Sequence, residues 1–250
     1  MSFATVLVLL YGPHTQLHRR CLTSVLETVP SDTPLRIGIN DVCSETLTWL
    51  ERGALDPQLL VPGTLAAGNL KRGIEQGRVA YFSSGNTNVC KYPMWRRMLW
   101  EAPKITTPWI VWLDDDTHCV NDRGWWRAVE ALAADPQEHY IGESWWVTYQ
   151  KKQWESFIIT RPWYKGQRPE TIGGKPGVRF HTGGFVAARL KTLKTLGWPD
   201  TELYHNGGDT LLGEAMRQNG FKRTALDTKV LGLRVNDSPR RGHSEKPKGQ

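Results

Sequence analysis

Three consecutive carboxylates, Asp114-Asp115-Asp116, follow directly on the apolar run Trp109-Ile110-Val111-Trp112-Leu113. Such a run reads as a buried strand of an α/β sheet, and ligands of these sheets sit beyond the carboxyl ends of the strands. Alternate residues of an extended chain share a face, so Asp114 and Asp116 can act together while Asp115 points elsewhere. Paired carboxylate oxygens suit a hard divalent cation. The plain alternative is a solvated acidic turn. A further carboxylate, Asp209, follows Gly207-Gly208 and opens a helical stretch, where it can take a proton in catalysis or merely cap the helix.

The elements that must position these groups alternate along the chain. Residues 5–11 form an apolar strand ended by Gly12-Pro13, and Leu17, Cys21, Leu22, Val25 and Leu26 recur at helical spacing behind it. A second strand at 35–39 ends in Asn40-Asp41, and Ser44 with Glu45 starts a short helix. Residues 59–61 are expected as a third short strand. A helix with Met94, Met98 and Leu99 on one face precedes the acidic strand, with Pro93 limiting its start. Downstream, the patterns predict a helix over 124–134, a strand over 139–149, an irregular aromatic stretch to 177 and a short strand over 180–188. Helices at 190–196 and 210–218 and a last strand at 229–235 complete the chain. This alternation predicts an α/β fold, one domain over residues 1–238 with a mostly parallel central sheet. Its second half, residues 121–238, would be loop-rich, with a basic tail at 239–250.

Composition narrows the classes. A chain of 250 residues with 39% hydrophobic content and 12 Trp can bury one sizeable core. No stretch approaches the ~20 apolar residues of a membrane span, and the seven-residue run at 4–10 reads as a strand, not a signal peptide. The four cysteines are scattered without a C-x-x-C pair, which suits buried thiols in a reducing compartment and a cytoplasmic location. The net charge of +7 is unevenly spread. Residues 151–179 hold seven Lys or Arg against two Glu, which implies an anionic partner. No G-x-G-x-x-G or P-loop motif follows any strand, so dinucleotide oxidoreductases and P-loop nucleotidases fall away.

In their order, these pieces resemble the GT-A glycosyltransferases, especially the large inverting family that uses nucleotide-diphosphate sugars. The resemblance rests on the apolar first strand ending at Tyr11, the carboxylate Asp41 after the second, and Asp114-Asp115-Asp116. It continues through Thr182-Gly183-Gly184-Phe185-Val186-Ala187-Ala188-Arg189, then Gly197-Trp198-Pro199-Asp200 leading to Gly207-Gly208-Asp209-Thr210. It implies that Asp41 bonds the nucleotide base, with Tyr11, Asp115, Gly183 and Gly184 beside the donor. Asp114 would meet the ribose or the metal, and Asp116 would bind Mn²⁺ or Mg²⁺ directly. Asp209 falls where the family has a Glu-Asp pair whose carboxylate deprotonates the acceptor; here Gly208 stands for the Glu, and Glu202 or Glu214 could substitute. The resemblance further implies a metal-binding role for His243 and a diphosphate contact for Arg241. His118 and His205 are expected to be structural.

The acceptor is read from the aromatic residues Trp145, Trp154 and Trp163 interleaved with Lys151 and Lys152. Aromatic rings stack on sugars or unstacked bases, and Lys and Arg follow phosphates. One reading is DNA carrying 5-hydroxymethyl pyrimidines, as in viral DNA hypermodification in a host cytoplasm, with the target base flipped out. Another is a polysaccharide, lipid-linked or small-molecule acceptor. Outside the transferases, a non-catalytic nucleotide or nucleic-acid binding module stays open. A nucleotide-sugar pyrophosphorylase is opposed by Gly12-Pro13-His14, which is not its Gly-rich loop.

Overall fold

The computed structural model describes residues 2–55, 73–120, 124–149, 157–204 and 207–237. A first parallel unit consists of β1 (Ala4–Tyr11), α1 (Thr15–Thr28), β2 (Leu35–Asn40), α2 (Ser44–Leu55) and β3 (Val79–Ser83). Then come α3 (Lys91–Trp100), β4 (Trp109–Asp114), β5 (His118–Cys119), α4 (Gly124–Ala133) and β6 (Glu138–Thr148). The hairpin β7 (Glu170–Ile172) and β8 (Lys175–Arg189) precedes α5 (Leu190–Leu196), α6 (Gly208–Gln218), β9 (Lys222–Ala225) and β10 (Leu233–Arg234).

The main sheet runs β3-β2-β1-β4-β8-β6-β9, with β7 paired to β8, while β10 pairs with β5 in a separate two-stranded ribbon. Pairing is parallel at β1–β2, β2–β3, β1–β4 and β6–β9, and antiparallel at β4–β8, β6–β8 and β7–β8. The expected mixed α/β architecture with a mostly parallel sheet is the one observed. From β1 the chain winds to β2 and β3 on one side and returns to β4 on the other. The crevice between the carboxyl ends of β1 and β4 is therefore the switch point at which open α/β sheets bind ligands.

Both faces of the sheet are covered, which explains why β1 and β4 read as continuous apolar runs. Val6, Val8 and Leu10 of β1 pack with α1, α2 and α4, while Leu7 and Leu9 pack with Met94, Met98 and Trp112 on the other face. On that second face α6 lies close on β8: a Cβ at Gly213 would come within 2.6 Å of the Arg179 carbonyl. This approach brings the N-terminus of α6, with Asp209, to the middle of β8.

The strand expected at 59–61 lies outside the described residues; β3 forms at Val79–Ser83, an edge strand with only Phe82 buried and so without an apolar run. Two other expectations change. The short strand at 180–188 is the second half of the 15-residue β8, whose first half occupies part of the stretch expected to be irregular; Gly173 and Gly174, both at positive φ, turn β7 into it. Of the last strand at 229–235, only Leu233–Arg234 is extended. The Asp227 carboxylate accepts the Lys229 and Val230 N–H groups at 3.1 and 3.2 Å and folds that segment into a turn. Among the described residues no helix is long and apolar enough to cross a membrane.

Candidate active site

The carboxylates at 114 and 209, far apart in sequence, are linked through Lys91 and one backbone residue, Gly183. Gly183 in β8 donates its N–H to Asp209 Oδ2 at 3.2 Å, and its carbonyl accepts from Lys91 Nζ at 3.1 Å and from the Trp112 indole N–H at 3.2 Å. Lys91 Nζ also donates to Asp114 Oδ2. A Cβ at Gly183 would lie 2.9 Å from Lys91 Nζ and 3.5 Å from Asp209 Oδ2, so glycine lets both groups close on the strand. The other Asp209 oxygen accepts the Thr210 N–H at 2.8 Å, which fixes the carboxylate in the first turn of α6.

Burial pushes the Asp114 carboxyl up to about 6; the Lys91 ammonium opposes that rise and Asp116 reinforces it. Burial works against the Lys91 charge, yet its contacts with Asp114, aided by Asp209 and Asp116, raise its pKa. The second oxygen, Asp114 Oδ1, is shielded from solvent and accepts no hydrogen bond from the described residues. An anionic oxygen in that condition suits a cation or a ligand hydroxyl. Among the described residues, however, no three His, Cys, Asp or Glu side chains group as a metal-binding set.

The acidic triplet divides as alternation requires. Asp115 is 3% exposed and turns toward α1, where its carboxylate accepts the Tyr11 N–H at 2.9 Å and lies 3.0 Å from His18 Nε2. His18 Nε2 also lies 3.0 Å from the Tyr11 carbonyl, and its Nδ1 lies 2.8 Å from the Thr46 hydroxyl. With two oxygens facing it, Nε2 carries the proton and Nδ1 accepts from Thr46. Asp115 therefore braces the ends of β1 and β4, although the sequence grouped it with donor-binding residues. Asp116 is half-buried beyond the turn closed by Thr117 N–H on the Asp114 carbonyl at 3.0 Å. The Asp116 carbonyl accepts the Asp237 N–H at 2.8 Å.

The other side of the crevice is built on Asn40, which is buried at the end of β2. Its amide oxygen accepts from Val89 N–H at 3.0 Å and Ser84 Oγ at 3.2 Å, and its nitrogen donates to Asn88 Oδ1 at 3.2 Å. Asn88 in turn donates to the Tyr11 hydroxyl at 3.0 Å. Asp41, at φ 52°, turns the chain sharply out of β2 at the crevice rim, and its N–H donates to Ser84 Oγ at 3.2 Å. Gly184 is packed against the C-terminal segment, where a Cβ would lie 2.5 Å from Asn236 Oδ1, and its carbonyl accepts from Thr117 Oγ1 at 2.8 Å.

Several remaining candidates stand elsewhere. Glu214 is buried in a pair with Arg217 at 2.6 Å and accepts from Gln218 Nε2 at 2.7 Å, so it serves α6 and not the crevice. Glu202 is exposed and bonds Arg161 at 2.9 Å. Trp163, expected on the acceptor surface, is 6% exposed and belongs to the core beneath α6; its apolar area outweighs the polar sequence around it. Trp145 remains 47% exposed on β6. His118 is buried, with Nδ1 3.8 Å from Asp237, in keeping with a structural part. Lys151, Lys152, Trp154, His205, Arg241 and His243 lie outside the described residues. Lys91, Asn40 and Asn88 were not singled out from the sequence as site residues, since a lysine at a helix start, an asparagine ending a strand and one in a loop carry no motif of their own.

No protein-family model matches the chain, and no curated protein matches it in sequence. Its structure is similar to that of the mannosyltransferase PcManGT from Pyrobaculum calidifontis, solved in complex with GDP-Man and Mn²⁺. The identity is 16% and the TM-score 0.55, over 90% of this chain and 54% of that one. It is also similar to TarS 1–349 from S. aureus, with 12% identity and a TM-score of 0.50 over 86% of this chain and 55% of that one. This chain thus spans about half the length of either structure. The likeness establishes the fold, which is that of the GT-A glycosyltransferases.

Proposed function

We propose that this chain is a glycosyltransferase that moves a sugar from a nucleotide-diphosphate sugar to an acceptor hydroxyl with inversion. One observation carries the reading: Lys91 and Asp209 converge on Gly183 at the switch point of a GT-A fold, and Lys91 ties Asp114 to them. The nucleotide would lie across the ends of β1 and β2, against Tyr11 and Asp41, with the diphosphate toward Lys91. Asp209 takes the acceptor proton as the acceptor oxygen attacks the anomeric carbon, and the bond to the diphosphate breaks with its electron pair leaving on the phosphate oxygen. Lys91 holds a positive charge beside the oxygens on which negative charge develops. Asp115 and His18 keep the acidic turn in register.

Asp116 and the unpartnered Asp114 Oδ1 would hold Mn²⁺ or Mg²⁺, with His243 as a further ligand. When bound, such an ion neutralises the leaving diphosphate. The Asp237–Asp116 hydrogen bond supports a part for Arg241 and His243. The chain beyond Asp237 starts at the acidic turn, and six extended residues span up to about 20 Å. The resemblance favours a UDP-sugar, and the mannosyltransferase of similar structure was solved with GDP-Man. The DNA acceptor expected from sequence leans on Lys151, Lys152 and Trp154, outside the described residues, and on Trp163, which is in the core.

The test is nucleoside-diphosphate release from a panel of UDP- and GDP-sugars with Mn²⁺, with and without DNA containing 5-hydroxymethyl pyrimidines. Metal-dependent release from one donor supports the transferase. A hexose-sized mass gain on the digested nucleosides would establish the DNA acceptor. No release from any donor would leave a non-catalytic binding module.

A further inference from the structure

We infer that a groove beside the candidate active site takes the acceptor as a carbohydrate chain, with one sugar ring seated on the Trp145 indole. The inference rests on the glycosyltransferase reading and names its acceptor class. The groove has a volume of about 630 Å³ and lies between α1 and β6, with Arg20, Glu143, Trp145, Arg234, Asn236 and Asp237 on its walls.

Two contacts tie this groove to the reacting centre. Asn236 donates to Thr182 Oγ1 at 2.9 Å, and its side chain abuts Gly184, so the inner wall stands one residue from Gly183 and its Asp209 contact. Asp237 N–H is held on the Asp116 carbonyl at 2.8 Å. Strand β6 is antiparallel to β8, which is antiparallel to β4, so the Trp145 end of β6 projects from the same sheet edge as Asp114.

The lining chemistry matches a sugar. Trp145 leaves nearly half of its surface in water, an apolar area whose cover would be favourable. The C–H face of a pyranose covers an indole in that way, and its hydroxyls then meet the Glu143 carboxylate and the Asn236 amide at the sides. Arg20 donates to the Asp237 carbonyl at 2.7 Å and lies 3.4 Å from its carboxylate, so its charge is partly answered at the groove wall. A nucleic-acid backbone fits less well. Glu143 and Asp237 stand among Arg20, Lys229 and Arg234, and Arg20 is already paired with Asp237, so the lining is of mixed charge and not the basic stripe that a phosphate backbone calls for.

The test is saturation-transfer difference NMR of the full chain with tetrasaccharides of mannose, glucose and N-acetylglucosamine, beside calorimetric binding of UDP and GDP with Mn²⁺. At least one tetrasaccharide is expected to show saturation of ring C–H protons. Trp145→Ala should weaken its affinity roughly five- to tenfold, while Trp145→Phe and the remote Trp100→Ala keep it and nucleotide binding stays at the wild-type level in all three. No signal from any tetrasaccharide, or a signal unchanged in Trp145→Ala, overturns the inference even if nucleotide binding is intact. Tetrasaccharide binding that depends on Trp145 in a chain that binds neither nucleotide would uphold the groove and remove the transferase reading instead.

Discussion

The ring of Tyr92 fills the space that a side chain at position 208 would need. A Cβ on Gly208 would stand 2.2 Å from Tyr92 Cζ, and the Tyr92 hydroxyl accepts the Asp209 N–H at 3.0 Å. Tyr92 is buried and meets Trp198 edge-on at 5.9 Å; Trp198 stacks on Trp112 at 5.1 Å, and Trp112 holds the Gly183 carbonyl. Glycine at 208 is thus a steric requirement of this chain. The tyrosine behind it helps to fix Asp209 through the backbone N–H.

Tyr92→Phe should therefore lower kcat several-fold at unchanged donor KM, with a stability loss of about 1 kcal/mol for the missing hydrogen bond. Gly208→Glu in the wild-type background should fail to fold properly, and pairing it with Tyr92→Ala should recover solubility. Steady-state kinetics and thermal unfolding check both. A Tyr92→Phe enzyme altered in donor KM alone would count against the positioning role.

Asp115 and Asp116 should separate cleanly. Asp115→Ala strips the Tyr11 N–H of its acceptor, leaves His18 Nε2 only the Tyr11 carbonyl, and should cost roughly 1–3 kcal/mol of stability, read as a lower Tm without bound nucleotide. Asp116→Ala should keep Tm within a few degrees and lose Mn²⁺-dependent nucleotide binding. Reversed results would assign the two carboxylates the other way.

How far the sequence led can be judged at these residues. The apolar runs of β1, β2 and β4, buried on both faces, marked the strands whose ends frame the crevice, and the carboxylates there were visible as a pattern. Strands β3 and β9 were not, because edge strands need no apolar face. The Asp209–Gly183–Lys91 meeting was illegible for another reason: it depends on α6 lying flat on β8, a packing matter that local periodicity does not encode. Trp163 was misread because an aromatic among charged neighbours looks the same in sequence whether it stacks on a ligand or joins a core with Leu212 and Met216 of α6.

Lys91→Met leaves the Asp114 carboxylate without its cation. The pair keeps about a fifth of its exposure, so the cost should be roughly 1–3 kcal/mol, less than for a fully buried pair. Donor affinity should fall about tenfold or more. Adding Asp114→Asn should restore most of the stability and none of the donor binding, a contrast that calorimetry and chemical denaturation would show.

His181 supplies a pH dependence. It is buried against Gly142 and Tyr140, neither ring nitrogen has a hydrogen-bond partner among the described residues, and burial pulls its pKa down from 6.5 to about 4. The unfolded chain then binds the proton that the folded chain refuses. The contribution is fully present above pH 6.5 and is lost as pH falls toward 4, by roughly 3 kcal/mol. Urea midpoints of wild type and His181→Gln should diverge with pH in that window, the variant showing the shallower loss. Parallel curves would contradict the assignment.

The most direct test of the central claim is nucleoside-diphosphate release by Asp209→Asn beside the wild type, with nucleotide affinity measured on the same samples. If Asp209 is the base of a glycosyl transfer, the variant binds UDP or GDP with Mn²⁺ as the wild type does and turns over about 10²- to 10⁴-fold more slowly. Equal turnover in the two proteins, with nucleotide binding intact in both, would contradict it.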